Sequence, residues 1–380
     1  MEKKKNKILF IQTEDWFFKS HFVPLAKALL DDAKYESVIV TTVGKEREFL
    51  EKLGLKVIHL DFKRSSFNIF LALKLVIQLV IIYFKERPNI IHLIALKPML
   101  VGGLASIFYP KAANIFHLTG LGYLADGKSK LAEVRRKIFF GIIAILLRIK
   151  KSWLITENPD DKEYLIKYGM SKKVRYSLFG GAGVDVDYYS LEFKNEIKNL
   201  KAAYVGRMIQ SKGVDVLVKA KQELNKRGIK LDIELFGAPD LANPNSYDLE
   251  TLEKWNKVEG INWHGKISDV REVWKKCEIA IMPTRTREGM PKAMLEAAAC
   301  SRALVVSDVP GCRHFVEDGI EGFIVKPDDE IALADALEKL ATNKKLRMKM
   351  GKAARKKILS NFSEEHIKKA IIQIYNELIL

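Results

Sequence analysis

Short apolar runs alternate with longer amphipathic segments along most of the chain. In the first half, the apolar runs predict strands at residues 8–11, 37–41, 56–60, 90–93, 114–117 and 153–156. Segments with helical periodicity lie between them, at residues 22–30, 45–52, 67–85, 98–109 and 160–168. This order of strand, helix and strand is typical of a doubly wound, mostly parallel α/β sheet.

The same rhythm restarts after a polar stretch at residues 192–199. Strands are predicted at 202–205, 230–236, 262–264, 279–282 and 303–307, and helices at 214–228, 270–276, 291–299 and 330–341. We therefore expect two doubly wound domains, at residues 1–195 and 196–362. A last helix at 363–380 ends in apolar residues, so we expect it to pack back onto the first domain.

Composition and charge narrow the class of protein. With 48% hydrophobic residues the chain is not disordered, and its three cysteines show neither disulfide-framework nor zinc-ligand spacing, which favours a reducing compartment. The net charge is +17, and residues 51–150 hold 16 Lys and Arg against 5 Asp and Glu. A basic region attracts phosphate on a nucleic acid, a lipid or a diphosphate substrate, although a merely lysine-rich surface is the alternative.

Two apolar blocks lie inside this basic region, at residues 67–84 and 138–147. Neither is long and apolar enough to span a bilayer, and the run at 8–11 is too short for a signal peptide. The blocks are either buried helices of the first domain or interfacial helices whose lysines and arginines meet lipid phosphates. The basic residues that flank both blocks favour peripheral membrane contact.

Ligands of open α/β sheets bind at the carboxyl ends of the strands, and two such places lie in the second domain. At residues 287–296, Gly289 lets the backbone approach a ligand and Pro291 suits a first helical position. Glu288 and Glu296 could accept hydrogen bonds from two polyols, unless they only complement the helix dipole. At residues 206–214, Arg207 and Lys212 could both reach one diphosphate, or could be ordinary surface cations.

Two further places lie in the first domain. His117 ends a predicted strand and precedes glycines, so it could line a pocket, although a lone histidine is more often structural. His92 occupies a similar position with a weaker signal. The predicted loop at residues 13–21 has no glycine, which argues against a dinucleotide site. Its aromatic and acidic residues suit an acceptor sugar, with a packed aromatic loop as the alternative.

Taken together, the paired glutamates at 288 and 296, Gly-Arg at 206–207, Lys-Gly at 212–213, and the segments 305–313 and 318–322 resemble a retaining family 4 glycosyltransferase of the GT-B fold. Further segments match the branch that extends undecaprenyl-diphosphate-linked sugars: residues 15–17, 118–122, 158–161, 181–185, 243–246 and 287–292. The resemblance implies two Rossmann-like domains that face a central cleft. It also implies transfer of a sugar, such as an N-acetylhexosamine, from a UDP-sugar to a lipid-linked saccharide in surface-glycan or glycoprotein-glycan assembly.

The resemblance assigns roles residue by residue. Arg207 and Lys212 would neutralise the donor diphosphate as it leaves, Glu288 would hold donor-sugar hydroxyls, and Glu296 the ribose. His117 would sit at the donor sugar near the reacting carbon. Gly289, Met290 and Pro291 would contribute backbone contacts to the donor. The acceptor would contact Asp15, Trp16, Phe17, His21, Thr119 and Gly120.

The expected partners are therefore a UDP-sugar, a lipid-linked saccharide and an anionic membrane surface, without nucleic acid, cofactor or metal ion. The expected location is cytoplasmic, on the inner face of the cell membrane. Two departures from the family pattern stand out, since the first loop lacks its usual glycines and Ser301 replaces a frequent glycine.

Other functions remain open from the sequence alone. They are a sugar-nucleotide epimerase or polysaccharide synthase of the same fold, and a non-catalytic protein that binds polyanions. The two glutamates favour an enzyme, because a polyanion binder gains nothing from acids in its site.

Overall fold

Two parallel sheets, each with its own helices, organise the chain in the computed structural model. The structure describes residues 5–63, 68–121, 129–149, 151–191, 199–240 and 243–379. The first unit comprises Met1–Ala182 together with Glu364–Leu380, and the second comprises Gly183–Ser363. The fold class is therefore α/β with two doubly wound units, as the sequence predicted.

The first unit is built on a seven-stranded parallel sheet in the order β3-β2-β1-β4-β5-β6-β7. Its strands are β1 Asn6–Glu14, β2 Tyr35–Thr42, β3 Lys56–His59, β4 Ile90–Ile94, β5 Ala113–Leu118, β6 Ser152–Thr156 and β7 Arg175–Leu178. Its helices are α1 Asp15–Asp31, α2 Arg47–Lys52, α3 Ile69–Glu86, α4 Leu96–Ser106, α5 Lys130–Leu146, α6 Pro159–Lys167 and α14 Glu364–Ile379.

Alternate residues of β1 pack into two different hydrophobic cores, one on each face of the sheet. Leu9 and Ile11 pack with α3, α4 and α5, whereas Ile8 and Phe10 pack with α1 and α14 on the opposite side of the sheet. Helices on both sides explain why the strands are nearly continuous apolar runs, since a parallel sheet is buried on both faces. The apolar side chains of α14 lie in this second core, so the last helix of the chain belongs to the first unit.

The second unit has a six-stranded parallel sheet in the order β10-β9-β8-β11-β12-β13. Its strands are β8 Lys201–Val205, β9 Asp232–Phe236, β10 Ile261–Trp263, β11 Ile279–Met282, β12 Ala303–Ser307 and β13 Gly322–Val325. Its helices are α7 Val214–Lys226, α8 Leu249–Asn256, α9 Arg271–Trp274, α10 Lys292–Ala299, α11 Pro310–Phe315, α12 Glu330–Thr342 and α13 Lys344–Asn361.

The structure differs from the sequence-based expectation at the start of the chain and at the unit boundary. The prediction of a loop at residues 13–21 was wrong, because α1 already begins at Asp15. Pro24, near the start of the helix predicted at residues 22–30, therefore lies well inside α1. The boundary falls at residues 182 and 183 rather than at 195 and 196. Val184 is buried in the second unit, where it pairs with Ser363. Residues 192–198 lie outside the described part of the chain.

A buried ion pair joins α12, α13 and the start of β11 in the second unit. Arg347 Nε donates to Glu278 Oε2 at 3.0 Å, and Arg347 Nη1 donates to the carbonyl oxygens of Leu340 at 2.6 Å and Ala341 at 3.2 Å. The last two carbonyls lie in the final turn of α12, where intrahelical donors are missing. The guanidinium therefore satisfies both a buried carboxylate and a helix end.

We expect Arg347→Met to destabilise the protein by about 3–5 kcal/mol, because it leaves the Glu278 carboxylate buried without its cation. Urea unfolding measures this change. Lys352→Met is the matched control, since Lys352 is an exposed cation on the same helix. Equal unfolding midpoints for the two variants would contradict a structural role of the pair.

Candidate functional site

The carboxyl ends of β8 and β11 meet at one edge of the second sheet, because these strands are neighbours. After β8 the chain makes one 3₁₀ turn, Gln210–Lys212, and enters α7 through Gly213, whose φ is +67°. A Cβ at Gly213 would lie 2.0 Å from the carbonyl oxygen of Pro283, the residue that follows β11. Only glycine allows this approach, which presses the two loops together.

This approach brings Lys212 against Glu288. Lys212 Nζ donates to both carboxylate oxygens of Glu288, at 2.6 Å each, and Thr284 Oγ1 donates to Glu288 Oε1 at 2.7 Å. Burial raises the pKa of the Glu288 carboxyl, but the Lys212 cation, the Thr284 hydroxyl and the Arg207 charge outweigh it and lower that pKa. Glu288 is therefore an ionised acceptor at neutral pH.

Arg207 lies at the same edge, two residues after β8. Its Nη1 donates to Asp240 Oδ2 at 2.7 Å, and its carbonyl oxygen accepts from the buried hydroxyl of Tyr204 at 2.8 Å. The backbone of Arg207 is thus fixed by the core, while its half-exposed guanidinium is held by the Asp240 side chain in the loop after β9. Two predicted diphosphate-binding cations are therefore each paired with an acid.

A second ion-pair network, which was not among the sequence-based predictions, joins the segments that follow β8, β11 and β13. Arg285 forms a bidentate pair with Asp215, at 2.7 Å and 2.6 Å, and also donates to Asp328 and to the carbonyl oxygen of Gln210. The Tyr247 hydroxyl donates to Asp215 Oδ1 at 2.5 Å. Burial raises the pKa of the Asp215 carboxyl, but Arg285 and Tyr247 outweigh it and lower that pKa. Arg285 lies three residues after β11, and its position at the carboxyl end of a strand could have indicated a role at this edge.

The segment that leads into α10 is fixed by close backbone contact. A Cβ at Gly311 would lie 1.9 Å from the carbonyl oxygen of Gly289, so α11 packs directly on this segment. Gly289 and Met290 are buried, and α10 begins at Lys292. The prediction that Pro291 is the first helical residue was therefore wrong by one position, since Pro291 is the N-cap in extended conformation.

Glu296 is buried on α10 and accepts a hydrogen bond from the Tyr189 hydroxyl at 3.1 Å. Lys292 Nζ lies 3.8 Å from the same carboxylate oxygen. Burial and the Glu296 charge raise the pKa of Tyr189, so its hydroxyl stays protonated and donates. No feature of the sequence near Tyr189 indicated this contact, which joins residues 107 positions apart.

In the first unit, the predicted site residue His117 is buried near the end of β5 beside His92 of β4. His117 Nδ1 lies 3.1 Å from His92 Nε2, and His92 Nδ1 lies 2.6 Å from the hydroxyl of Tyr375 on α14. Burial lowers the pKa of His117 to about 3 and lowers the pKa of His92 well below its usual value, so both rings are neutral. In the sequence, His92 is only a weak candidate and Tyr375 is not indicated at all.

His117 also lines a small hollow at the carboxyl edge of the first sheet. The hollow is formed by residues of this unit that include His21, Phe22, His117, Gly181, Glu364 and Lys368. The ring of Phe22 meets that of His117 edge to face, with centroids 5.4 Å apart. The structure thus brings together His21 and His117, which the sequence predicted as acceptor and donor contacts respectively.

The other predicted acceptor residues have different surroundings. Asp15 is buried, and its carboxylate accepts from the backbone N–H groups of Gly44 at 2.6 Å and Glu46 at 3.1 Å, so it holds the loop after β2. Trp16 is exposed, and Phe17 stacks on His21 with ring centroids 4.0 Å apart. Thr119 and Gly120 are half-buried and directly follow β5.

An unusually apolar surface covers the outside of α3, α4 and α5, which lie side by side on one face of the first sheet. Twelve of the twenty exposed large hydrophobic side chains described in the chain lie here: Ile69, Phe70, Leu73, Ile77, Ile81, Phe84, Ile107, Phe108, Leu131, Val134, Ile138 and Ile145. Exposed cations are interleaved with them: Lys74, Lys85, Lys130, Arg135, Lys137 and Arg148. We call this surface the outer helix face.

The outer helix face bears on an alternative that the sequence left open. The two apolar blocks are neither simply buried nor simply exposed, because α3 buries Leu75, Leu79 and Tyr83 and exposes an apolar stripe on its other side. No helix in the described ranges is long and apolar enough to cross a membrane. Within the same ranges, no three His, Cys, Asp or Glu side chains are grouped to hold a metal ion.

Comparisons with known proteins agree with this architecture. The model of the family described as "Glycosyl transferase 4-like" matches residues 7–158, and that of "Glycosyl transferases group 1" matches residues 190–357. Together the two matches cover most of both units. In addition, Anabaena HepE, solved in complex with UDP and glucose, superposes with a TM-score of 0.78 at 16% identity, covering 98% of this chain and 99% of HepE. This likeness shows the GT-B fold.

Two relatives align over nearly their whole length. An N,N'-diacetylbacillosaminyl-diphospho-undecaprenol α-1,3-N-acetylgalactosaminyltransferase of Campylobacter jejuni is 26% identical, with 94% of this chain and 96% of the relative covered. The capsular polysaccharide biosynthesis glycosyltransferase CapM of Staphylococcus aureus is 23% identical, with 94% of each chain covered. On the strength of the two family models, the chain belongs to the glycosyltransferases, with a 4-like first unit and a group 1 second unit.

Proposed function

We propose that this glycosyltransferase moves a sugar from a UDP-sugar to an undecaprenyl-diphosphate-linked saccharide. The observation that supports the donor half most directly is the contact of Lys212 with Glu288 beside Arg207. Cations are what a diphosphate needs, and an ionised carboxylate is a good acceptor for sugar hydroxyls. HepE, which shares the fold, was solved with UDP and glucose.

The donor diphosphate would exchange partners with the acids now bound to the cations. Lys212 would leave Glu288, and Arg207 would leave Asp240, to contact phosphate oxygens that carry more charge than one carboxylate. Glu288 would then be released towards the donor-sugar hydroxyls. The Arg285–Asp215 pair does not take part in this exchange and would hold the loops in place meanwhile.

The remaining donor contacts follow from the segment around α10. Glu296 would hold the ribose, with the Tyr189 hydroxyl keeping its carboxylate in position. The backbone of Gly289, Met290 and Pro291 would line the sugar and phosphate. Because Gly311 packs against Gly289, this backbone is already fixed before the donor arrives, which lowers the cost of ordering it.

The proposed reaction retains the anomeric configuration and needs no metal ion. The bond between the anomeric carbon and the diphosphate oxygen breaks, and its electron pair stays on the diphosphate. The acceptor hydroxyl bonds to the anomeric carbon on the same face and gives its proton to the leaving diphosphate. Arg207 and Lys212 would stabilise the charge that develops on the leaving oxygens, in the role that a metal ion fills elsewhere.

The acceptor half rests on the relatives and on the first unit. The Campylobacter jejuni relative is named for an undecaprenol-linked acceptor and for transfer of N-acetylgalactosamine in an α-1,3 linkage. We propose a lipid-linked saccharide here too, with an N-acetylhexosamine as the sugar moved. Trp16, Phe17, His21, Thr119 and Gly120 would contact it, while Asp15 would act indirectly, by holding the loop at Gly44.

A lipid-linked acceptor requires the enzyme to meet a membrane, and the outer helix face suits an anionic bilayer. An exposed apolar surface of this extent usually marks an interaction site. Its interleaved lysines and arginines match the negative charge of lipid headgroups, whereas its only exposed acid on α5, Glu133, is paired with Lys137 at 3.1 Å. We therefore propose peripheral binding at the cytoplasmic face of the membrane.

The reaction is tested by incubating the protein with a panel of UDP-sugars and lipid-diphosphate saccharides. Mass spectrometry of the lipid product is expected to show a gain of one sugar residue, and NMR of that product to show the donor's anomeric configuration. Sugar transfer only to water-soluble acceptors, or conversion of the UDP-sugar without transfer, would contradict the proposal.

Arg207→Ala should lower kcat by about 10²–10³-fold, the cost of removing one preorganised charge from a developing anion. The fold should survive, because the guanidinium is half-exposed. Arg227→Ala is the control, since Arg227 is another ion-paired arginine but lies at the far end of α7. Comparable turnover in the two variants would refute the role of Arg207.

The membrane proposal is tested by sedimentation with vesicles of phosphatidylglycerol or phosphatidylcholine. Ile77→Asp with Ile81→Asp should weaken binding to the anionic vesicles at least about tenfold, since burying one such side chain contributes about 1.5–3 kcal/mol. Leu359→Asp, at an exposed apolar residue of the second unit, is the matched control. Unchanged vesicle binding, or loss of a dimer instead, would show that the face has another partner.

A further inference from the structure

In the buried group in which Tyr375 bonds His92 and His92 bonds His117, one ring nitrogen has no partner. His117 Nε2 is buried and has no hydrogen-bond partner among the described residues, although the other four polar side-chain atoms of the group are paired. It belongs to a side chain that lines the hollow with His21 and Lys368. A buried polar atom without a partner is costly unless a ligand supplies one.

The protons of this group can be assigned by counting donors and acceptors. Each neutral imidazole has one N–H and one bare nitrogen, and the Tyr375 hydroxyl has a single proton. His92 Nδ1 is the only hydrogen-bond partner of that hydroxyl in the described structure. If His92 Nδ1 carried a proton, the buried hydroxyl of Tyr375 would have no acceptor, at the full desolvation cost of that donor.

The favoured hydrogen bonds therefore all point from Tyr375 through His92 to His117. Tyr375 donates to His92 Nδ1, which must be bare, so His92 carries its proton on Nε2. His92 Nε2 donates to His117 Nδ1, which must also be bare, so His117 carries its proton on Nε2. Burial keeps both rings neutral, and the nearly parallel rings, inclined by 14°, are held between Phe22 and Phe10.

We propose that Tyr375 and His92 are positioning residues that fix His117 as an Nε2–H donor towards a sugar oxygen of the bound substrate. In this tautomer the nitrogen that faces the ligand donates a hydrogen bond and cannot accept a proton. The helix that supplies Tyr375 is the last of the chain, so α14 has a part in the chemistry as well as in packing. The substrate part of this proposal rests on the proposed function, whereas the tautomer does not.

The tautomer is measured by NMR of protein labelled with ¹⁵N-histidine, because protonated and bare ring nitrogens differ widely in chemical shift. His117 is assigned by the signal lost in His117→Gln. We expect Nε2 of wild-type His117 to be protonated and Nδ1 bare, in the absence of any substrate. A proton on Nδ1 of wild-type His117 would overturn the proposal.

The variant Tyr375→Phe tests whether the Tyr375 hydroxyl fixes the tautomer of His117. Without the hydroxyl, neither orientation of the histidine pair is favoured, so His117 should become a mixture of both tautomers. In that variant kcat should fall at least about twofold with KM little changed, because only part of the enzyme presents the donor. A single unchanged tautomer in Tyr375→Phe would overturn the role of Tyr375.

Tyr35→Phe is the matched control. Tyr35 is also buried, and its hydroxyl donates to Asn376 Oδ1 of α14 at 2.5 Å, but within the described residues no hydrogen bond or ring contact joins it to either histidine. We expect this variant to keep the wild-type tautomer and kcat. If Tyr35→Phe shifts the tautomer as much as Tyr375→Phe does, the effect is one of packing and the proposal is wrong.

Failure of the proposed function gives a different result. If His117 shows the expected tautomer and Tyr375→Phe disturbs it, but no sugar is transferred by the wild-type protein, the tautomer assignment stands and the glycosyl-transfer proposal fails. Should Tyr375→Phe not fold, the wild-type spectrum alone still decides which nitrogen of His117 carries the proton.

Discussion

The contact between Lys212 and Glu288 depends on one backbone constraint, the approach of Gly213 to the carbonyl of Pro283. Neighbouring parallel strands place the loops after β8 and β11 at the same edge of the sheet, but adjacency alone does not make side chains meet. The absence of a Cβ at Gly213 closes the remaining distance. A cation and a carboxylate 76 residues apart in the chain thereby come to share two hydrogen bonds.

The second unit separates a fixed framework from groups that can change partners. Arg285 is held by Asp215, Asp328 and a backbone carbonyl, so any movement would break several charge-assisted hydrogen bonds. Lys212 and Arg207 each depend mainly on one acid, and both are partly exposed to solvent. The Arg207–Asp240 pair is of the partly exposed kind that contributes little net stability, which makes it suitable for exchange with a charged ligand.

The first unit carries both the Tyr375–His92–His117 group and the outer helix face. In our proposal these two features bind opposite ends of one lipid-linked saccharide. In our proposal the Tyr375–His92–His117 group presents a hydrogen-bond donor to substrate at the hollow that His117 lines, at the carboxyl edge of the sheet. The outer helix face lies on α3, α4 and α5, on the opposite side of the sheet from α1 and α14. A lipid-linked saccharide has both a polar sugar end and an apolar anchor, so both features are useful to one enzyme.

The order of strands and helices along the chain could be predicted well from the sequence. The tertiary contacts between side chains could not. Buried parallel strands such as β4 and β11 are unmistakable apolar runs, and the rule that ligands lie at strand ends led directly to Arg207 and Glu288. The short edge strands β7 and β13 were missed, since each has only four residues and is only partly buried.

Partners fixed by tertiary contact could not be predicted in this way. Nothing near Asp15 in sequence indicates that its carboxylate holds the backbone of Gly44 and Glu46, so a helix start looked like a loop. Tyr375 is 283 residues from His92, and only the packing of α14 on the first sheet brings them together. Periodicity also could not show which side of α3 is exposed, because both sides are apolar.

A crystal structure of the protein with UDP tests the central claim most directly. We expect the two phosphates to lie at the carboxyl ends of β8 and β11, with Lys212 Nζ and the Arg207 guanidinium within hydrogen-bond distance of phosphate oxygens and no longer bound to Glu288 and Asp240. Diphosphate bound elsewhere, with the Lys212–Glu288 and Arg207–Asp240 pairs intact, would contradict the account.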